Sequence, residues 1–313
     1  MMKMALLKGN KGSEVTALQN RLKAMGFYSG EIDGSFGGGT ESAVKSLQKA
    51  YHLSQDGHAG PKTMSVINSK RVFLDIGHGS NTWPPSKGII QPDGTDFAEH
   101  SFNAKAFYAI KSLLEYNGFD VLFAQLPNAK DKPLRERTNW YNAQTNVLCL
   151  MSIHANAAGN ASGHDVFYWH DNPGGKRLAE MWNTNANAML IKQHGQGVWA
   201  SQKGHYGFHM VREPHVPSFL AEHFYYTNFN EWKKCYTQEY IDKCAKVAVK
   251  TICAYAGVSY KEPAPKPDPE PVPKPDPTPD TIYRVQVGAF TQKAGADALA
   301  KELQQKGYST IVK

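Results

Sequence analysis

The sequence predicts a multidomain chain in which a central α/β domain follows a small all-α domain and precedes a short βαβ unit. Three observations lead there. The length of 313 residues exceeds the roughly 100–200 residues of one ordinary domain. A proline-dense segment from Lys261 to Pro279 breaks the chain near its end. The apolar pattern also changes along the chain: helical before Arg71, alternating strands and helices as far as about Gly257, and strand–helix–strand after the prolines. The domains are therefore drawn at residues 1–70, 71–258 and 281–313, with a linker at 259–280.

In the first segment Val15, Leu18, Leu22 and Met25 lie at helical spacing, and Ala43, Val44, Leu47 and Tyr51 repeat the pattern. An internal echo joins Asp33-Gly34-Ser35-Phe36-Gly37-Gly38-Gly39-Thr40 to Asp56-Gly57-His58-Ala59-Gly60-Pro61-Lys62-Thr63. Each half reads as a glycine turn followed by a helix-capping threonine. Phe27 is expected in the core, because so small a domain needs its aromatics for burial.

The central segment offers strands at Val72–Ile76, Asp120–Ala124, Val147–Ile153, Val166–Trp169 and Ser218–Phe224. Helices are expected from near Asp96, carrying Asn103, Phe107, Ile110 and Leu114, and from about Tyr236 to Tyr255. In the linker, proline at nearly every second position removes backbone donors and forces an extended, semi-rigid tether. Beyond it Tyr283, Val285 and Val287 alternate on one strand face. Ala296, Leu299, Ala300 and Leu303 form a helical stripe, Gly307 ends that helix, and Tyr308–Val312 is a second strand. Two strands and one helix are too little for a lone domain. This unit is expected to complete its sheet by pairing with a second copy, giving a homodimer, or with the central domain.

Composition narrows the class. A chain 41% hydrophobic and 20% charged, with mean hydropathy −0.50, is globular rather than disordered. No window approaches the roughly 18 apolar residues of a membrane span. The apolar run in Met1–Gly9 stops short of a signal-peptide core, so synthesis in the cytosol with action after release is expected. The cysteines Cys149, Cys235, Cys244 and Cys253 show no Cys-x-x-Cys spacing and read as core residues. A net charge of +7 favours an anionic partner: nucleic acid, anionic lipid or acidic wall polymers. Scattered lysines do not choose among them.

Residues suited to chemistry stand at the carboxyl ends of strands, where α/β domains place their sites. His78 follows Arg71-Val-Phe-Leu-Asp-Ile-Gly77, His154 ends Leu148-Cys-Leu-Met-Ser-Ile153, and Glu222 follows Pro217-Ser-Phe-Leu-Ala221; Glu99 opens a helix. Two imidazoles and a carboxylate suit a catalytic zinc ion, and a second carboxylate suits proton transfer. Duller readings stand beside this one: among 12 histidines any one is ordinarily a surface or hydrogen-bonded residue, Glu99 could complete a capping box with Asp96, and Glu222 could be a buried paired carboxylate.

Residues 72–256 resemble the zinc N-acetylmuramoyl-L-alanine amidases through Asp75-Ile-Gly-His78-Gly79, Glu99-His-Ser-Phe-Asn103, Leu134-Arg-Glu-Arg137, Ser152-Ile-His154-Ala-Asn156-Ala157 and Val216-Pro217-Ser-Phe-Leu220-Ala-Glu222. The resemblance implies a largely parallel sheet, Zn²⁺ as cofactor held by His78, Glu99 and His154, and Glu222 as the catalytic glutamate. It further implies hydrolysis of the amide between N-acetylmuramic acid and L-alanine. Departures are Ile76 where proline is usual, a long segment Asn81–Phe97 between the first two ligand positions, and His223 where glycine commonly follows the glutamate. Arg137 and Asn156 are weaker candidates for ordering the site, and Arg137 could equally hold a structural salt bridge.

Residues 6–67 resemble a peptidoglycan-binding module through Leu7-Lys-Gly9, Gly26-Phe27-Tyr28, Asp33-Gly34 and Phe36-Gly37. Residues 283–313 resemble half of a sporulation-related wall-binding repeat through Tyr283-Arg-Val-Gln-Val-Gly-Ala-Phe290. Together these imply bacterial peptidoglycan as partner, not nucleic acid, and no membrane insertion. The expected protein is a lytic amidase of endolysin type or a mother-cell lytic enzyme of a sporulating bacterium. Two other classes stay open: a zinc peptidase cutting within the stem peptide, and a non-catalytic wall-binding protein.

Overall fold

The structure, a computed structural model, describes residues 5–205, 207–264, 293–305 and 310. They fall into two compact units, Met1–Pro263 and Ala264–Lys313.

The first unit begins with three helices, α1 (Ser13–Ala24), α2 (Gly38–Ala50) and α3 (Pro61–Ile67). Their cores are the residues read at helical spacing: Val15, Leu18, Leu22, Ala43, Val44, Leu47 and Tyr51 are buried. The echoed turns fold alike, but not through threonine caps. The N-caps are Gly37 and Gly60, with no side-chain cap. Each threonine instead serves a buried glutamine. Gln19 donates to Asp33 (2.8 Å) and Thr40 (3.1 Å) while accepting from the Gly34 amide. Gln48 donates to Asp56 (2.7 Å) and Thr63 (3.1 Å) while accepting from Gly57. A buried carboxamide must satisfy its donors and acceptor, so it takes the hydroxyl that a cap would have used.

The central sheet uses β1 (Arg71–Ile76), β4 (Asp120–Leu122), β5 (Cys149–Asn156), β6 (His164–Trp169), β7 (Gln193–Ser201) and β8 (Ser218–Tyr225), with a separate hairpin of β2 (Gly88–Ile90) and β3 (Asp96–Ala98). The order is β4-β1-β5-β8-β6-β7. The pairs from β4 to β8 are parallel and β6 runs antiparallel to β8, so the sheet is largely parallel as expected. Helices α4 (Glu99–Tyr116) and α6 (Pro173–Met189) pack against it, and α9 (Gln238–Tyr255) packs against both helices. Short helices α5 (Leu134–Asn142) and α7 (His209–Arg212) meet beside β8, and α8 (Phe229–Cys235) precedes α9. Alternation on β8 divides two cores: Phe219 and Ala221 join the main one, while Leu220 packs with Phe167 and Val211 in a smaller one. All four cysteines are buried and free.

All five expected strands are present, with shifted ends. The helix read from near Asp96 begins at Glu99, since Asp96–Ala98 pairs in the hairpin. Its N-cap is Ala98, with no side-chain cap, so the capping-box reading of Glu99 falls. The helix read from about Tyr236 begins at Gln238, where the Thr237 hydroxyl accepts from the Tyr240 amide.

The helical N-terminal segment packs on the sheet domain within the same unit. Arg21 donates to the Tyr255 carbonyl (3.0 Å) and the Ile67 carbonyl (2.7 Å), and Tyr51 donates to the Leu148 carbonyl (2.5 Å) at the start of β5. Phe27 is buried as expected and abuts Gly174, where a Cβ would come within 2.8 Å of its ring. Tyr51→Phe should therefore destabilise the whole unit, since it orphans a buried carbonyl at a cost of about 1–3 kcal/mol. Urea unfolding checks this. A midpoint equal to wild type would mean that the contact contributes nothing.

In the second unit α10 (Lys293–Gln305) is described, and Ala296, Leu299, Ala300 and Leu303 are, with Gly295, its less exposed residues. The two strands and the helix-ending Gly307 lie outside the described residues.

Candidate active site

Each of the four acidic and imidazole residues singled out in the sequence reaches one cleft of about 290 Å³, and the local backbone explains why. β1 ends at Ile76. Gly77 then passes so close beneath His154 that a Cβ would lie 2.3 Å from the imidazole Cε1. His78 turns through a left-handed conformation (φ 62°), uncommon for a non-glycine residue and of a kind that gathers at functional sites. Gly79 packs under the loop at Asp131, where a Cβ would lie 2.1 Å from the backbone nitrogen.

Glu99, at the first position of α4, extends its carboxylate between the two imidazoles. His78 Nε2 lies 3.3 Å from Oε2, and His154 Nδ1 lies 3.1 Å from Oε1. The ligand atoms of His78, Glu99 and His154 all fall within 4.8 Å of one another, the geometry of a metal-binding cluster. The Ala155 amide (3.3 Å) and the Asn103 side chain (3.4 Å) also donate to Glu99, and Asn103 is tied to the Gly77 carbonyl (2.8 Å). Burial pushes the Glu99 carboxyl upward, but the adjoining His154 and His78 imidazoles outweigh it and hold the group below the usual carboxylate range. Burial lowers the His154 imidazole, against the pull of Glu99.

Behind His154 lies a buried support. Ser152 donates to Asp75 (2.7 Å), Arg137 donates to the other Asp75 oxygen (2.9 Å) and to the Ile76 carbonyl (3.0 Å), and Tyr141 donates to Asp75 (3.2 Å). Of the two readings of Arg137, the salt bridge is thus present, while its side chain also lines the cleft. A serine hydroxyl has one proton, and here it goes to a carboxylate. The Ser152 oxygen 3.2 Å from His154 Nε2 therefore accepts from that nitrogen.

Glu222 pairs in register with His154 across β5 and β8 and with Asp165 across β6. It is buried, and its Oε2 has no hydrogen-bond partner, so the reading of a buried, paired carboxylate does not hold for that oxygen. Burial first, and then the nearby Glu99 carboxylate, push its pKa well above the ordinary value, with Lys87 pulling the other way. His223 points to the opposite face. It is buried among Phe102 and Trp182, its Nδ1 lies 3.0 Å from the His154 carbonyl, and burial pushes it down to about 4. His223 packs there in place of the usual glycine without breaking β8. Asn156 lines the cleft, its side-chain oxygen accepting from the Ala157 amide (2.8 Å).

Lys87, on the turn into the β2–β3 hairpin, was not singled out in the sequence and also lines the cleft. No spacing signal marks it, because it belongs to the long segment between the first two ligand positions. Among the described residues no helix is long and apolar enough to cross a membrane.

Comparison with known proteins agrees with this geometry. Residues 11–67 match a peptidoglycan-binding domain and residues 279–313 a SPOR domain. The N-acetylmuramoyl-L-alanine amidase CwlM of Bacillus licheniformis is 24% identical over 247 residues, 77% of this chain and 84% of that protein. The sporulation-specific N-acetylmuramoyl-L-alanine amidase of Bacillus subtilis is 24% identical over 246 residues, with the same coverage. A spore cortex-lytic enzyme of Bacillus cereus is 45% identical over 116 residues, 32% of this chain and 45% of that protein. Among solved structures, the N-acetylmuramoyl-L-alanine amidase of Clostridium difficile 630 shares the fold (TM-score 0.52, 23% identity, 61% of this chain and 98% of that one). Because residues 72–254, more than half of the chain, match the family described as N-acetylmuramoyl-L-alanine amidase, the chain belongs to that family and carries an amidase-type hydrolase site.

Proposed function

We propose that the chain hydrolyses the amide between N-acetylmuramic acid and L-alanine with zinc held by His78, Glu99 and His154 and with Glu222 as the proton-transfer group. The observation that carries this is the convergence of three donor atoms within 4.8 Å beside a buried carboxylate oxygen that has no partner. The donor set fits zinc: two imidazoles and one carboxylate, with cleft space for a further ligand. With His154 Nε2–H donated to Ser152, the Nδ1 of the neutral ring bears a lone pair. A lone pair and a carboxylate oxygen 3.1 Å apart call for a cation between them. The Ser152–Asp75–Arg137 support is the kind of outer contact that fixes a ligating imidazole.

Zinc bound there supplies Lewis acidity, which polarises a scissile carbonyl and makes water acidic near neutral pH. The protein's own part rests on Glu222. Its carboxylate takes a proton from the attacking water and delivers it to the departing L-alanine nitrogen, so the peptide leaves as a neutral amine. An upward-shifted carboxyl suits both halves of that transfer. The regions matched to the peptidoglycan-binding and SPOR domains would hold the enzyme on the wall, raising its local concentration there. Two of the named relatives, a sporulation-specific amidase and a spore cortex-lytic enzyme, favour a wall-lytic role of sporulation type.

Mass spectrometry of digested peptidoglycan tests the reaction. Free stem peptides beginning with L-alanine, together with glycan bearing unsubstituted lactyl carboxylates, are expected. Shortened peptides still attached to muramic acid would instead assign a peptidase, and no new fragments a binding protein.

A further inference from the structure

The β2–β3 hairpin is built to hold one cation over the cleft. Lys87 adopts φ 63°, a left-handed conformation that glycine takes without strain and lysine rarely does. Its carbonyl accepts from the Glu99 amide (2.9 Å), so its backbone is fixed to the first turn of α4. At Gly88 a Cβ would lie 2.5 Å from both the Phe97 carbonyl and the Trp83 ring. The hairpin is pinned to the end of β8 by Gln91, which donates to the Tyr226 carbonyl (2.9 Å), and by Phe97 packed on Tyr226. The lysine thus stands on a fixed scaffold, in a backbone conformation that a lysine costs energy to hold.

Charge pairing separates Lys87 from the other cation of the cleft. Arg137 is held by Asp75 (2.9 Å) and Asp131 (3.6 Å). Lys87 forms no ion pair among the described residues, although its charge is felt at Glu222. Among the described residues the cleft thus presents one ammonium outside any ion pair, lining it together with Glu222. An ammonium without such a carboxylate partner suits a carboxylate on the peptide side of the scissile amide, and it discriminates against the neutral amide.

We infer that Lys87 is a specificity-determining residue that recognises a free carboxylate on the leaving stem peptide, so that the enzyme prefers acidic over amidated stems. This rests on the amidase reading above. It is tested with the full chain on two soluble substrates, an N-acetylmuramoyl-L-alanyl peptide with a free α-carboxylate on its second residue and the matching α-carboxamide.

Wild type is expected to favour the acid by about fivefold in kcat/KM, equivalent to about 1 kcal/mol. Lys87→Gly, which removes the charge and relieves the backbone, and Lys87→Met, which keeps the stem, should both bring the ratio near one by raising KM for the acid. Any change in kcat that follows from the pull of Lys87 on Glu222 should be shared by both substrates, and the KM for the amide should not change. Equal wild-type use of both substrates would overturn the inference. So would variants that lose kcat on both substrates while keeping the acid-to-amide ratio of wild type, since the effect of Lys87 would then lie wholly in its pull on Glu222. Cleavage of neither substrate by wild type is the separate outcome that overturns the amidase reading itself.

Discussion

Glu222→Gln is expected to retain fold and metal while losing about 10²–10⁴-fold in turnover, the usual contribution of a positioned acid–base group. The substitution is nearly isosteric, and the affected oxygen makes no hydrogen bond within the protein, so nothing structural is removed. What is removed is the capacity to accept a proton. The carboxamide would also relieve the proximity of two acidic groups, Glu99 and Glu222, in a buried site, so the variant should unfold no earlier than wild type. The loss should fall on kcat, because proton transfer matters in the transition state more than in binding. Steady-state rates on a soluble muramoyl peptide, with metal content measured on the same sample, check this. Activity within about twofold of wild type would give Glu222 a structural role.

The second large effect is at the metal cluster. His154→Ala and His78→Ala should each lose bound zinc and hydrolysis together. Removing one of three protein donors leaves too few to retain the ion, whereas loss of an outer partner costs only about 10–100-fold in affinity or activity. Ser152→Ala should fall in that milder class, since it breaks the link from His154 to Asp75 but removes no donor. Gly77→Ala should resemble a ligand loss although it touches no ligand atom, because its methyl group would occupy the space of the His154 ring. Full activity with stoichiometric metal in either alanine variant of the histidines would remove that residue from the cluster.

The pattern of what was readable follows from local physics. His78, His154 and Glu222 could be found because each follows an apolar run, and topology carries the ends of parallel strands to one edge. Glu99 could be found as a residue, but its role could not be separated from capping until β3 was seen to occupy Asp96–Ala98. The hairpin itself was illegible: two strands of three residues each, with half-exposed positions and prolines before them, carry no periodicity. β7 escaped for a related reason. It is an edge strand interrupted by Gly195 and Gly197 at positive φ, so no alternation survives. α6 opens on Pro-Gly-Gly, which reads as a turn, yet Gly174 and Gly175 are needed where Phe27 and the Ser218 carbonyl approach. The docking of the helical segment on the sheet domain had no sequence signal, because it rests on side chains reaching distant carbonyls: Tyr51 to Leu148 and Arg21 to Tyr255.

On the proposed function, His78, Glu99 and His154 together hold a zinc ion in the cleft that contains Glu222. Crystallographic anomalous scattering from the purified full chain, with data collected on both sides of the zinc absorption edge, tests it most directly. A single strong zinc peak is expected within coordination distance, about 2.0–2.2 Å, of one nitrogen from each histidine and a Glu99 oxygen. An active enzyme whose zinc peak lies elsewhere, or which shows none, would contradict it.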